Sequence, residues 1–227
     1  MIPLSLCGNH PVTVLCLGAH SDDIEIGCGG TILRLLQDYP DAIFHWVVFS
    51  ASGVREAEAR RGASMFVDAK RLNGPTLKGF PDGFMRLEGR EVKEFFEVLK
   101  AKIFPDVIFT HNGNDAHQDH RFLSELTWNT FRDHLILEYE IPKYDGDLGR
   151  PNFFVPVEHG ILQAKIKFLM DSFESQHSKK WFEAETFRSL MRLRGMECNS
   201  SSGYAEAFYC RKLVLGARQQ DCGESSS

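Results

Sequence analysis

Three short apolar runs constrain the fold of this chain more than any other feature of its sequence. They are Val12–Gly18 (VTVLCLG), Ala42–Phe49 (AIFHWVVF) and Val107–Thr110 (VIFT). Each run is continuous, with few polar interruptions, and is rich in β-branched or aromatic residues. This pattern is typical of strands that are buried on both faces, as in a parallel sheet. The runs therefore predict a core of parallel strands.

Segments with helical periodicity separate these runs. The alternation of strand and helix patterns predicts an α/β fold with a mostly parallel sheet. In such a fold, ligands bind at the carboxyl ends of the strands. The predicted helices are Thr31–Gln37, Arg55–Val67, Glu88–Lys102, Phe122–Phe131, Ile161–Phe173 and Lys180–Arg192, and further strands are predicted at Leu135–Ile141, Phe153–Val157 and Tyr204–Leu215.

Length, charge and cysteine usage narrow the class of protein. The 227 residues suit one domain, which we place at residues 1–218, and the polar tail at 219–227 is predicted to be disordered. The net charge of −5 argues against a nucleic-acid partner, because phosphate contacts need clustered Lys and Arg. The six cysteines form no CxxC pair, which favours a reducing compartment. Since neither a signal peptide nor an apolar run of about 20 residues is seen, we expect a cytoplasmic protein without a transmembrane segment.

Two clusters of metal-ligand residue types follow the first and third apolar runs. His20 and Asp23 stand three positions apart after the first run, and His117 and His120 lie in the segment DAHQDH after the third. Parallel strands bring their carboxyl ends to one edge of a sheet, so we expect the clusters to meet there. Imidazole and carboxylate ligands at an open site suit Zn²⁺, although Fe²⁺ accepts the same set.

Each of these residues has a structural explanation when it is taken singly. Asp22 or Asp23 would serve as a helix N-cap, and Gly27, Gly29 and Gly30 would serve turn geometry alone. A dinucleotide-binding loop is disfavoured because the G-x-G-x-x-G order is missing and the acidic residues would repel a pyrophosphate. The occurrence of two ligand-type clusters, each at the end of a predicted strand, favours a metal site.

Two segments resemble the LmbE/PIG-L family of metal-dependent N-deacetylases. They are Ala19–Thr31 (AHSDDIEIGCGGT) and the HQDH segment at 117–120. Weaker matches extend the resemblance over most of the chain, at Arg55-x-x-Glu58, Gly79–Gly83 (GFPDG) and Tyr204–Phe208 (YAEAF). The resemblance implies a single Rossmann-like, three-layer α/β domain. Members of the family remove acetyl from N-acetylglucosaminyl groups and usually carry zinc.

The resemblance also implies roles for individual residues of this sequence. The resemblance implies metal ligands, catalytic residues and substrate contacts within the two clusters and the weaker motifs. The implied ligands are His20, Asp23 and His120; the implied catalytic residues are Asp22 as general base and His117 as oxyanion donor or acid, with Asp119 orienting His117 and favouring its charged form; the implied substrate contacts are Arg55 and Asp82.

The activity that the resemblance implies is zinc-dependent removal of an acetyl group from the amide nitrogen of an N-acetylglucosamine-type sugar conjugate. Two alternatives stay open: the same site acting on another acylated amine, and a non-catalytic sugar- or metal-binding protein. The expected partner is a small N-acetylated sugar conjugate, and homo-oligomers occur in the family. The family's HPDDE reads HSDDI here, with Ser21 for Pro and Ile24 for Glu, which suggests a divergent subgroup.

Overall fold

A sheet with a parallel centre organises the computed structural model, which describes residues 5–6, 10–72 and 74–214. Within these residues the strand order is β3-β2-β1-β4-β5-β7-β6. The first five strands in this order are parallel, whereas β7 runs antiparallel to both β5 and β6. The strands are β1 (Thr13–His20), β2 (Ile43–Ser50), β3 (Thr76–Leu77), β4 (Val107–His111), β5 (Leu135–Tyr139), β6 (Phe153–Pro156) and β7 (Ala205–Cys210).

Helices cover both faces of the sheet and complete three layers. Val14 and Cys16 of β1 face a core that is shared with α1, α2, α5 and α6. The alternate residues Leu15 and Leu17 face a second core, shared with α3 and α4. The predicted α/β fold with a mostly parallel sheet is therefore confirmed. The helices are α1 (Asp23–Asp38), α2 (Val54–Phe66), α3 (Gly89–Lys102), α4 (Gln118–Thr130), α5 (His159–Ser172) and α6 (Ala184–Glu197).

The glycine-rich segment is helical, which corrects its interpretation as a turn. Helix α1 begins at Asp23, so Gly27, Gly29 and Gly30 lie inside it. The reason is close packing: a Cβ atom at Gly27 would lie 2.2 Å from the Cδ2 atom of Tyr139 on β5. Absence of a side chain thus lets α1 approach the sheet directly after the strand that carries His20.

Several other boundaries differ from the prediction, and α6 shifts from the predicted Lys180–Arg192 to Ala184–Glu197. Helix α4 begins at Gln118 and not at Phe122, which places His120 in its first turn. The last strand ends at Cys210, whereas the sequence pattern extended it to Leu215, a residue outside the described part of the chain. The predicted tail at 219–227 also lies outside the described residues. No helix in the described part is long and apolar enough to cross a membrane.

The strand order creates a crevice between β1 and β4. The chain moves outward from β1 through β2 to β3 on one side, and from β4 to β5 on the other. Ligands of open α/β sheets bind at such a switch point, beyond the carboxyl ends of the two central strands. β1 ends at His20 and β4 ends at His111, so both strands deliver a histidine to this crevice.

Candidate active site

The turn between β1 and α1 holds two ligand-type side chains close together. Only Ser21 and Asp22 separate the end of the strand from the start of the helix. The backbone N–H of His20 donates to Asp23 Oδ2 at 2.6 Å, and the same oxygen lies 3.3 Å from the ring atom His20 Nδ1. The short turn therefore sets the Asp23 carboxylate against the His20 ring.

The start of α4 brings a third ligand-type side chain to this turn. His117 caps the helix, since its Nδ1 accepts the Asp119 N–H at 3.3 Å, and His120 lies in the first turn. His120 Nε2 is 3.1 Å from His20 Nδ1 and 3.5 Å from Asp23 Oδ2. The structure thus brings together the three residues that the resemblance implied as ligands.

The outer nitrogens of both histidines lie against carboxylates. His20 Nε2 is 3.0 Å from Asp82 Oδ1 and 3.6 Å from Asp119 Oδ2. His120 Nδ1 is 3.0 Å from Asp115 Oδ2. A carboxylate at the far nitrogen favours the proton there and leaves the inner lone pair available, as in metal sites with carboxylate-supported histidines. Two imidazole lone pairs and one carboxylate oxygen therefore converge on the same point.

This triangle fits a divalent metal ion. Ligand atoms about 2.0–2.1 Å from a tetrahedral ion lie roughly 3.3 Å apart, and the three observed separations run from 3.1 to 3.5 Å. Burial alone would lower the pKa of His20, but Asp23 and neighbouring carboxylates raise it well above its usual range. Burial would raise the pKa of Asp23, but three surrounding histidines hold it well below its usual range. Both shifts mark a site that favours added positive charge.

Asp22 lies beside the triangle in a different environment. The residue is buried, and its Oδ1 accepts a hydrogen bond from Arg55 Nη2 at 2.5 Å. Burial raises the pKa of the Asp22 carboxyl, and the Arg55 guanidinium opposes this effect without cancelling it. The adjacent aspartates Asp22 and Asp23 therefore have pKa values shifted in opposite directions, which suits one of them to bind a cation and the other to exchange a proton.

A family model matches the part of the chain that contains this site. Residues 15–131, just over half of the 227-residue chain, match the model PIG-L, described as GlcNAc-PI de-N-acetylase. The chain belongs to the PIG-L family. The match includes both ligand-bearing segments, and the resemblance of the two motifs is thereby confirmed.

Relatives of this PIG-L-family chain include a curated protein and solved structures. An uncharacterized deacetylase, YaiS, of Escherichia coli strain K12 is 28% identical over 145 residues, which cover 57% of this chain and 74% of that protein. The N,N'-diacetylchitobiose deacetylase from Pyrococcus horikoshii superposes with a TM-score of 0.62 at 18% identity, covering 87% of this chain and 83% of its own. GalB, the 4-carboxy-2-hydroxymuconate hydratase from Pseudomonas putida KT2440, superposes with a TM-score of 0.72 at 15% identity, covering 92% and 100%. At these identities, the two structures establish a shared fold.

The Arg-x-x-Glu motif of this PIG-L-family chain supports Asp22 from behind. Besides its bond to Asp22, the Arg55 guanidinium donates to Glu58 Oε2 at 2.9 Å. Glu58 in turn accepts the backbone N–H and the hydroxyl of Ser175 at 2.8 Å and 2.7 Å. A line of hydrogen bonds therefore runs from the turn after α5 to the Asp22 carboxylate. A substrate contact by Arg55 stays a prediction.

The Asp119 carboxylate has a different partner from the one expected. Its oxygens accept the backbone N–H groups of Gly83 at 2.7 Å and Met85 at 3.3 Å, so it fixes the loop that carries Asp82. Among the hydrogen bonds of the described residues, the one that joins Asp119 to His117 is donated by the Asp119 backbone N–H. Burial lowers the pKa of His117 and the nearby His120 lowers it further, whereas the Asp119 charge raises it, as expected of that carboxylate, without reversing the shift.

The loop residue Asp82 lies at the exposed edge of the site. Its side chain is 75% exposed, although Oδ1 is 3.0 Å from His20 Nε2. The pKa of Asp82 is lowered mainly by its hydrogen bond with His20. An ionised carboxylate therefore stands where the site opens to solvent, and its predicted contact with substrate stays a prediction.

The sequence analysis assigned no role to three residues that support the site, although it included Asp115 in the DAHQDH segment. His111 ends β4 and is fully buried beside Asp23, with its Nε2 3.2 Å from Asp23 Oδ2. Asp115 is held by Lys143, whose Nζ lies 2.9 Å from Asp115 Oδ2. Lys143 also donates to Asp147 at 2.6 Å. His111 had a recognisable signal, because it directly follows an apolar run, whereas Lys143 belongs to a distant loop with no motif.

The YAEAF segment on β7 anchors α1. Glu206 accepts the backbone N–H groups of Gly30 at 2.7 Å and Thr31 at 2.6 Å. Lys165 of α5 donates to the same carboxylate and to the Ile26 carbonyl, both at 2.6 Å. This buried Lys165–Glu206 pair holds polar backbone groups of α1 on both sides of its glycines, and so fixes the helix whose first residue is Asp23.

Proposed function

We propose that this protein is a divalent-metal-dependent N-deacetylase. It hydrolyses the amide of an N-acetylglucosamine-type sugar conjugate and releases acetate and the free amine. The convergence of His20 Nδ1, Asp23 Oδ2 and His120 Nε2 beside Asp22 carries the proposal. Membership of the PIG-L family and the deacetylase relatives support it.

The ligands in this proposal are His20, Asp23 and His120. When bound, a divalent ion polarises the amide carbonyl and lowers the pKa of water toward neutrality. The ligand set is compatible with Zn²⁺ and with Fe²⁺, and we propose Zn²⁺ as the native ion. Asp115 and Asp82 hold the outer nitrogens of the two histidines, and so keep their inner lone pairs directed at the centre of the site.

Asp22 is the general base. Its Oδ1 is bound to Arg55, so Oδ2 is the oxygen that receives the proton of the attacking water. The raised pKa makes the Asp22 carboxylate a stronger base than an ordinary aspartate, and its protonated form persists closer to neutral pH. The same group can therefore pass its proton to the departing amine nitrogen, which completes the hydrolysis without a further acid.

His117 is the hydrogen-bond donor to the developing oxyanion. Its Nδ1 accepts the Asp119 N–H, so the proton of the neutral ring resides on Nε2. Its ring centroid lies 4.6 Å from that of His120 and 4.8 Å from that of His20, which places the ring against the site. Removing one such donor typically slows hydrolysis about 10²–10³-fold.

A substrate screen tests the proposal. The purified protein, loaded with Zn²⁺, is incubated with a panel of N-acetylhexosamine conjugates, and free amine and acetate are measured together. We expect equal amounts of both products from at least one N-acetylglucosamine conjugate. Other N-acylated amines in the panel test whether the site prefers a different amide. The absence of amine release from every sugar conjugate would contradict the proposal.

The ligand assignment has its own test in metal content. The substitution His120→Ala removes one of the three converging lone pairs, so we expect the purified variant to lose stoichiometric metal. His134→Ala, which changes a histidine outside the site, serves as the control and should retain it. Full metal occupancy in a folded His120→Ala variant would remove His120 from the ligand set.

A further inference from the structure

The last residue of β4, His111, contacts two of the three proposed ligands without being one of them. The residue is fully buried. Its ring stacks on the His120 ring with centroids 3.8 Å apart and an interplanar angle of 18°. Its Nε2 lies 3.2 Å from Asp23 Oδ2. A single side chain therefore borders both a histidine ligand and the carboxylate ligand.

The His111 ring is tethered to the neighbouring strands. Its Nε2 accepts the backbone N–H of Ala19 at 2.9 Å. The hydroxyl of Tyr139 lies 3.2 Å from the same nitrogen and donates to the Leu17 carbonyl at 2.6 Å. The backbone register of β1 and β4 ends at Cys16 and Phe109, so the imidazole replaces a backbone partner where the strands separate.

One feature argues that this histidine is present for more than stability. Its Nε2 accepts the Ala19 N–H, and its Nδ1 is buried without a hydrogen-bond partner among the described residues. A buried polar atom without a partner costs about 1–3 kcal/mol. An apolar side chain would avoid this cost, yet it would leave the Ala19 N–H without an acceptor and the ring without its tether.

We propose that His111 is a positioning residue that holds Asp23 and the His120 ring in the metal-binding arrangement. Its side chain, held by the Ala19 N–H, is a flat group that limits rotation of the Asp23 carboxylate on one side and of the His120 imidazole on the other. The inference rests on the proposed metal-dependent function. Residues that orient metal ligands typically change metal affinity about 10–100-fold when they are replaced.

The test compares the Zn²⁺ dissociation constants of three variants with that of the wild type, measured without substrate by competition with a chromophoric chelator. His111→Phe keeps a stacked ring but removes the acceptor for Ala19, so we expect Zn²⁺ binding at least about tenfold weaker. His111→Gln offers a carbonyl oxygen to Ala19, and its affinity should stay within about threefold of the wild type. Thr110→Val removes the buried bond between Thr110 Oγ1 and Thr127 Oγ1 one residue earlier in β4, and its affinity should be unchanged.

Visible absorption of the Co²⁺-substituted proteins provides a second readout, because a displaced ligand changes the spectrum. We expect an altered spectrum for His111→Phe and wild-type spectra for His111→Gln and Thr110→Val. A folded His111→Phe variant with wild-type affinity and spectrum would overturn the inference. Where His111→Phe does not fold, a folded His111→Gln variant with tenfold weaker binding would overturn it. If the wild type itself binds no Zn²⁺, the proposed function fails instead.

Discussion

At the scale of single residues, the adjacent aspartates Asp22 and Asp23 have different environments, which suit the separate roles proposed for them. The Asp23 carboxylate is surrounded by three histidines, which outweigh burial and lower its pKa. Asp22 has one cation, Arg55, and burial prevails, which raises its pKa. Asp22 and Asp23 are consecutive in the chain, so the difference between their pKa shifts comes from the elements that their side chains face. Asp23 faces β4 and α4, and Asp22 faces α2.

Replacement of the proposed base tests this division. Asp22→Asn keeps the size of the side chain and removes its ability to accept a proton, so we expect kcat to fall about 10²–10⁴-fold. Metal content should stay stoichiometric, since Asp22 is not among the proposed ligands. The control is Asp38→Asn, at the far end of α1. Wild-type turnover by Asp22→Asn would show that another group is the base.

At the residue scale, the sequence predicted which side chains would meet but not what supports them. His20, Asp23 and His120 stand at strand and helix ends in short motifs, and the position of these motifs after two parallel strands predicted that they would lie at one edge of the sheet. The partner of Asp119 depended on a loop that approaches from another part of the chain, the one containing Gly83. No local pattern encodes such a contact, so the sequence did not show that the Asp119 carboxylate binds the Gly83 loop while its backbone N–H contacts His117.

At the scale of secondary-structure elements, α1 is the element on which the site depends most. It begins with Asp23, packs its glycines against the sheet, and is anchored by Glu206. The sequence pattern recognised the strand before it, because buried strands are continuous apolar runs. It placed the helix start too late because glycine disfavours helices in isolation. Tertiary packing against Tyr139 overrides that preference.

A pair of glycine substitutions tests the packing of α1. Gly27→Ala would place a methyl group on the buried Tyr139 ring, so we expect it to lower the free energy of unfolding by at least about 1–3 kcal/mol. Gly160→Ala in α5 meets no atom within 4 Å and should raise it by about 0.4–1 kcal/mol. Chemical denaturation of both variants measures the difference. A Gly27→Ala variant as stable as Gly160→Ala would contradict the proposed close contact.

At the scale of the whole molecule, the strand order makes the site. The segments that carry Asp23 and His120 are far apart in sequence, and they meet because β1 and β4 are neighbours at the switch point. Sequence periodicity predicted the parallel sheet, and the general rule for such sheets predicted the edge at which the site lies. Periodicity did not predict the antiparallel position of β7 between β5 and β6, because strand order at the end of a sheet depends on contacts that leave no periodic signal.

The stability of the molecule should respond to acid partly through Glu58. Burial opposes ionisation, but Ser175 and Arg55 hold the pKa of Glu58 below its ordinary value. A lowered carboxyl pKa in the folded state adds stability above the unfolded-state pKa, about 4.3, and this contribution is lost as the pH falls through the folded-state pKa. Glu58→Gln should therefore destabilise the protein more at pH 6 than at pH 3.

Denaturation at several pH values measures this effect. Glu91→Gln, which removes an exposed carboxylate of α3, is the control for the loss of one negative charge. An equal destabilisation by Glu58→Gln at both pH values would mean that the Glu58 charge makes no net contribution to folding. In Glu58→Gln, the Arg55 guanidinium would keep its ion pair with Asp22 and lose its ion pair with Glu58.

The proposed activity of this chain is metal-dependent deacetylation, which a direct measurement of the reaction tests. The most direct measurement is acetate release from an N-acetylglucosamine conjugate by the wild-type protein before chelation, after removal of metal, and after addition of Zn²⁺. We predict release, loss of release, and recovery, with release by Asp22→Asn about 10²–10⁴-fold slower than by the wild type. Acetate release that is unaffected by the chelator, or that is as fast in Asp22→Asn as in the wild type, would contradict the proposed metal-dependent deacetylation.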